Sequence, residues 1–206
     1  MNWLRKSEGV ASSAAPAPDR SVSGRVERVM PGIAALLEGV SADRSHAVLD
    51  LGPAADSSLQ VYSRFARWVR FADILSPSPT DPWSTALDSI PEQPQRPYDL
   101  VFGWDILDRV EPGDRALVIA KLAELTASDA RLHLIVNAGR EGIRYPLRFA
   151  LLDSDRICYQ QAGGAVAVAS PLLPAELERV VAPFRVSRAF TTQIGLREYV
   201  AARRER

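Results

Sequence analysis

The stretch Ala47–Leu51, followed at once by Gly52, constrains this chain more than any other. It is short, rich in β-formers and bounded by turn residues, which suits a central parallel strand covered on both faces. Beyond the turn, Ser57–Ala66 carries Leu59, Tyr62, Phe65 and Ala66 on one face, so the turn opens an amphipathic helix. A buried strand turned by glycine straight into a helix is the building unit of a parallel α/β sheet. Gly52 has no Cβ, so the backbone there can bend sharply and lie close to a ligand. The same glycine also suits a plain strand-to-helix turn, and both readings stay open.

The rest of the chain repeats that unit. Val26, Val29, Ile33, Leu36, Leu37 and Val40 recur at helical spacing, with Pro31 beginning a new turn, and predict a helix leading into the domain. Trp68–Ala72 reads as a second strand, closed by Asp73. Between Ser76 and Pro97 six prolines interrupt every candidate run and leave room only for a short helix near Trp83–Leu87. Tyr98–Gly103 is a further buried strand, Pro112–Leu125 an amphipathic helix and Arg131–Val136 the strand that closes the unit. The C-terminal part differs in kind. Leu173–Val181 is a helix opened by Pro174, and Phe184–Phe190 and Leu196–Ala201 both alternate apolar with polar residues. So few residues separate these two segments that they pair antiparallel.

Composition limits the partners. Twenty-five basic residues balance 25 acidic ones, so no field of the whole molecule draws it to nucleic acid or to an anionic membrane. One cysteine forms no internal disulfide, and two histidines with it are too few for a Cys/His zinc cage. No apolar run approaches the roughly 20 residues that span a bilayer, and the first residues lack a secretory signal. These features predict a soluble cytoplasmic protein without a metal. Residues 1–23, rich in Ala, Ser and Pro over Val10–Ser23, are expected to be a flexible leader, and residues 24–206 the folded domain.

In their order, "VLDLGPAAD", Asp73, "YDLVFGWDILDRV", "LAELTASDARLHLIV" and "LPAELERVVAPFRVSRAFTTQIGLREYVAAR" resemble the class I S-adenosylmethionine-dependent methyltransferases. The resemblance runs from about Val26 to Arg203. It implies a Rossmann-like, mostly parallel sheet with helices on both faces and a C-terminal antiparallel hairpin, in strand order 3-2-1-4-5-7-6. The prolines of 76–97 imply that edge strand 3 is abbreviated or missing.

The resemblance also implies a cofactor site for S-adenosylmethionine. It places Asp50 near the methionine part and Gly52 at the close approach. The later glycines of the family fall near Ala54 and Asp56, and Asp56 sets a carboxylate where the ligand also carries one. Asp73, about 20 residues beyond the turn, stands where an acid accepts from both ribose hydroxyls, or is a surface aspartate capping the following loop. The family's adenine-reading acid has its nearest candidate in Asp88, with Trp83 able to stack on the ring, beside a packing role for each.

Trp104 and Asp105 follow the strand 98–103 at the carboxyl edge, where open α/β sheets bind ligands. Trp104 is assigned to the cofactor, and Asp105 either to the acceptor, as a catalytic group, or to a cap on the helix Ile106–Val110. His133, within an apolar strand, reads as a core histidine rather than a base. Arg140, Arg144, Tyr145 and Arg148 lie where the family builds its substrate lid, and hold an anionic acceptor or form a solvated loop.

Two functions follow: methyl transfer to an unidentified small-molecule or protein acceptor, or a methyltransferase-like binding or scaffold protein that has lost catalysis. Nicotinamide-dependent reduction requires a G-x-G-x-x-G turn, and Ala54 and Ser57 stand at its later glycines.

Overall fold

The computed structural model describes residues 24–74, 83–91, 96–137, 147–161, 172–192 and 195–203. In chain order the elements are β1 (Val26–Val29), α1 (Pro31–Leu37), β2 (His46–Asp50), α2 (Asp56–Tyr62), β3 (Ala66–Phe71), α3 (Trp83–Asp88), β4 (Tyr98–Phe102), α4 (Ile106–Arg109), α5 (Arg115–Leu125), β5 (Thr126–Asn137), β6 (Leu147–Asp153), β7 (Arg156–Gln161), α6 (Pro174–Val180), β8 (Phe184–Thr191) and β9 (Leu196–Arg203).

A six-stranded sheet in the order β3-β2-β4-β5-β9-β8 forms the body. β2 is parallel to β3 and to β4, and β4 to β5. β9 enters between β5 and β8 and runs antiparallel to both. This is the mixed sheet with a reversed C-terminal hairpin that the sequence predicts. Outward of β3 no further strand occurs among the described residues, which leave out 75–82 and 92–95 of the proline-rich interval.

The interior strands carry the core because both faces are covered: Ala47, Val48, Leu49 and Val101 are inaccessible to solvent. On α5 the buried Val118, Ile119 and Leu122 sit three and four residues apart and face the sheet. α1 lies against β5 and β9 with Ile33 and Leu36 fully buried.

The first element differs from expectation. Residues 26–40 are not a single helix: β1 precedes α1, and Met30 between them is extended, with φ −127° and ψ 94°. The residue before a proline is sterically disfavoured from the helical region, so Pro31 starts a helix but ends any that arrives from upstream. Val26–Val29 pair antiparallel with β7 instead.

β1, β7 and β6 make a second, three-stranded antiparallel sheet. It docks on the body through α2, where the Leu151 N–H donates to Ser58 Oγ at 2.9 Å. The leader 1–23 and the lid residues Arg140, Arg144 and Tyr145 lie outside the described residues.

Candidate functional site

The carboxyl ends of three adjacent parallel strands, β3, β2 and β4, meet at one edge of the sheet. Their loops are tied by backbone bonds: Leu51 N–H to Phe102 O at 3.0 Å, Ala72 N–H to Asp50 O at 2.8 Å, and Asp73 N–H to Gly52 O at 3.2 Å. Asp50, Gly52, Asp73 and Trp104 are thereby brought together, as a ligand-binding edge requires.

Asp50, at the end of β2, is 2% exposed. Its Oδ1 accepts from the Gly52 N–H at 2.8 Å and from Trp104 Nε1 at 2.5 Å, and its Oδ2 accepts from the Tyr62 hydroxyl at 2.7 Å. Burial lifts its pKa to about 6, against the three donors, which favour the charged form. The carboxylate thus holds the turn from within. Tyr62, on the last turn of α2, is the partner that strand-and-turn spacing does not reveal. Burial and the adjacent Asp50 charge raise its own pKa well above the usual tyrosine value.

Trp104 adopts a left-handed backbone, φ +48°, directly after β4 and is wholly buried. Its ring stacks on Phe149 of β6, with centroids 5.2 Å apart and planes 2° from parallel. The second sheet therefore reaches the strand edge through this pair. A Cβ at position 52 would lie 3.2 Å from both Asp50 Oδ1 and Trp104 Nε1. A larger residue here would press on the carboxylate and the indole, which would have to give by a few tenths of an ångström.

Asp73 is exposed and also left-handed, with φ +48°. Of the two strand-end acids, Asp50 is buried and Asp73 faces solvent. Ala54 and Asp56 are exposed as well, on the loop that leads into α2. Asp56 occupies the first turn of that helix, where a negative charge is favourable.

Asp105 is inaccessible to solvent and bound by Arg109, whose Nε lies 2.8 Å from Oδ1 and whose second nitrogen donates to Oδ2 at 2.9 Å. Arg109 also donates to the Leu147 carbonyl at the start of β6. Asp105 precedes α4 without a side-chain capping bond, and burial sets its pKa at about 6 against the pull of Arg109. The i, i+4 spacing of Asp105 and Arg109 is the sequence signal for this pair.

His133 lies inside β5, and its Nε2 is 3.1 Å from Glu198 Oε2 on β9, with neither residue accessible. Asp88 is exposed at the end of α3, and Trp83 stands at its start. Among the described residues no His, Cys, Asp and Glu cluster suits a metal ion, and no helix is long and apolar enough to cross a membrane.

No protein-family model matches the sequence, and neither does any curated protein. Solved structures do. An S-adenosylmethionine-dependent methyltransferase from Mesorhizobium loti aligns over 84% of this chain and 96% of its own, with a TM-score of 0.52 and 14% identity. A putative type 11 methyltransferase from Sulfolobus solfataricus aligns over 78% and 85%, with a TM-score of 0.47 and 16% identity. The 1,6-didemethyltoxoflavin-N1-methyltransferase of Burkholderia thailandensis, with bound 1,6-didemethyltoxoflavin and S-adenosylhomocysteine, aligns over 85% and 77%, with a TM-score of 0.45 and 14% identity. With the strand order and reversed last strand described above, the first of these shows that the chain has the class I methyltransferase fold.

Proposed function

We propose that this chain binds S-adenosylmethionine at the β3-β2-β4 edge and is a methyltransferase acting on an unidentified acceptor. The observation that carries the reading is the bond from the Asp73 N–H to Gly52 O, which sets an exposed carboxylate beside the glycine turn at the ends of adjacent strands. A carboxylate so placed accepts two hydroxyl donors of one ribose, and bonds to a charged acceptor are about twice as strong as neutral ones. S-adenosylmethionine supplies an electrophilic methyl group on a sulfonium.

The residues fit such a cofactor at its ribose end. At the methionine end Asp50 is already satisfied by Gly52, Trp104 and Tyr62, so its part is to hold the turn rather than to touch the ligand. The loop from Pro53 to Asp56 then offers its backbone there. Methyl transfer asks chiefly for an aligned nucleophile and a dry site, so no catalytic base is required.

A specific observation favours the second reading, a non-catalytic methyltransferase-like binding protein. Trp104 fills the space over Gly52, and Asp105 is engaged by Arg109 at two oxygens. Calorimetric titration with S-adenosylmethionine and S-adenosylhomocysteine separates the two. Micromolar binding of either supports the enzyme, and methyl release in a screen of acceptors completes it. No heat at millimolar ligand leaves the non-catalytic reading.

A further inference from the structure

Beside the strand edge, a cavity of about 530 Å³ opens between the loop Pro53–Ser57 and the second sheet. Its size lies within the range of small-molecule sites. The sheet side is built by register. Arg148 on β6 pairs with Gln160 on β7. Arg25 stands one residue before the Val26–Tyr159 pair of β1 and β7, and so beside the same Gln160. The three side chains form one cross-strand row. With neighbouring strands about 4.8 Å apart, the two arginine backbones stand roughly 10 Å from each other, with the amide between them.

Both arginines are exposed and line the cavity, and neither makes an ion pair or side-chain hydrogen bond among the described residues. Ser57, Gln60 and, among the described residues, a single acid, Asp56, also line it. Asp56 offsets one guanidinium and leaves a positive charge in excess. Two guanidiniums in a concave site, flanked by amide and hydroxyl donors, match an oxyanion, since each presents a planar fork of N–H groups.

We propose that this groove binds the phosphate or carboxylate group of a small molecule through Arg25 and Arg148. On the methyltransferase reading, on which only the ligand's fate rests, that molecule is the methyl acceptor, held next to the loop that follows Gly52.

The test uses the full chain labelled with ¹⁵N, titrated at constant ionic strength with inorganic phosphate and, separately, with succinate. The Nε–H resonances of Arg25 and Arg148 are expected to shift saturably, with millimolar or tighter Kd, for at least one of the two anions. The tighter anion identifies the headgroup. The double variant R25Q/R148Q should weaken that binding at least tenfold while leaving the melting temperature unchanged and the affinity for S-adenosylhomocysteine within twofold. Linear, unsaturated shifts spread over all arginines overturn the proposal. So does a parallel loss of S-adenosylhomocysteine binding in R25Q/R148Q, which would assign the row to the cofactor. Saturable anion binding in a chain that binds no S-adenosylhomocysteine keeps the anion site and refutes the methyltransferase reading alone.

Discussion

The indole Nε1 of Trp104 donates to Asp50 Oδ1 at 2.5 Å, joining the end of β4 to the end of β2. The bond belongs to a closed set: Asp50 accepts from three donors, and the other face of the indole arrangement is the stack with Phe149. Replacing Trp104 with Phe preserves an aromatic surface for Phe149 but removes one donor from a buried carboxylate. A loss of about 1–3 kcal/mol in unfolding free energy is expected from urea denaturation. An unchanged midpoint would mean that the indole bond contributes nothing net.

Asp50 and Asp105 both sit near pKa 6 in the folded chain, above the ordinary 3.8, because burial disfavours their charged forms. Between those values the folded chain retains protons that the unfolded chain has released. These two groups therefore make stability rise as pH falls from 6 towards 4, and their full burial cost is present above pH 6. Asp50→Asn is neutral throughout and lacks that gain. Relative to wild type its stability should decline by about 2–3 kcal/mol between pH 7 and pH 4, a shift of one unit being worth about 1.4 kcal/mol. Parallel stability curves for the two proteins would refute the assignment.

The buried pair His133–Glu198 gives a sharper contrast between two substitutions. His133→Leu leaves Glu198 in the core without its partner, and breaking a buried pair on one side costs about 3–5 kcal/mol. Glu198→Gln keeps an acceptor for the imidazole and should cost less than half as much. Equal losses in the two variants, measured by thermal and urea unfolding, would show that packing rather than the pair sets the effect.

Gly32, on α1, lies over the same acid. An added Cβ would stand 2.5 Å from Glu198 Oε2 and 2.7 Å from Glu198 Cβ, and the second of these has no flexible end to swing aside. Gly32→Ala is expected to destabilise by about 1–3 kcal/mol, although alanine is the better helix former. A gain in stability would mean that α1 shifts freely on the sheet.

At the candidate cofactor edge the informative change is Asp73→Asn. Asparagine tolerates the left-handed backbone of this position, so the fold should be unaffected. It loses the charge, and hydrogen bonds to charged groups are worth roughly 1.5–3 kcal/mol. Affinity for S-adenosylhomocysteine should drop on the order of tenfold to a hundredfold by calorimetry. Wild-type affinity in the variant would remove Asp73 from the site.

Much of this architecture is legible in the sequence, for a local reason. Ala47–Leu51 and Tyr98–Phe102 are apolar runs between turn residues, and Phe184–Thr191 and Leu196–Arg203 alternate over a gap too short for anything but a hairpin. β1 is hidden because Val26 and Val29 continue the helical spacing of Ile33 and Leu36; the proline at 31 is the only mark of the break. The hairpin of β6 and β7 carries a readable signal, the alternation of Leu147, Phe149 and Leu151 before the turn at Asp153–Asp155, yet its family resemblance points to a lid. At the site, the positions of Asp50, Gly52 and Asp73 follow from strand ends. The engagement of Asp50 by Tyr62, 12 residues on, and by Trp104, 54 residues on, depends on tertiary packing and leaves no trace in spacing.

The place of β9 has a bearing on how the chain is made. It lies between β5 and β8, so among the described residues β8 has no other neighbour in the sheet, and one side of β5 waits for it. During synthesis every other strand of the body precedes residues 196–203. Until those residues emerge, the nascent chain presents the long, apolar margin of β5, with its N–H and C=O groups unpaired, to whatever is nearby. Ribosome-stalled chains ending before Leu196 should therefore recruit holdase chaperones and resist release, whereas chains extended through Arg203 clear of the ribosome should not.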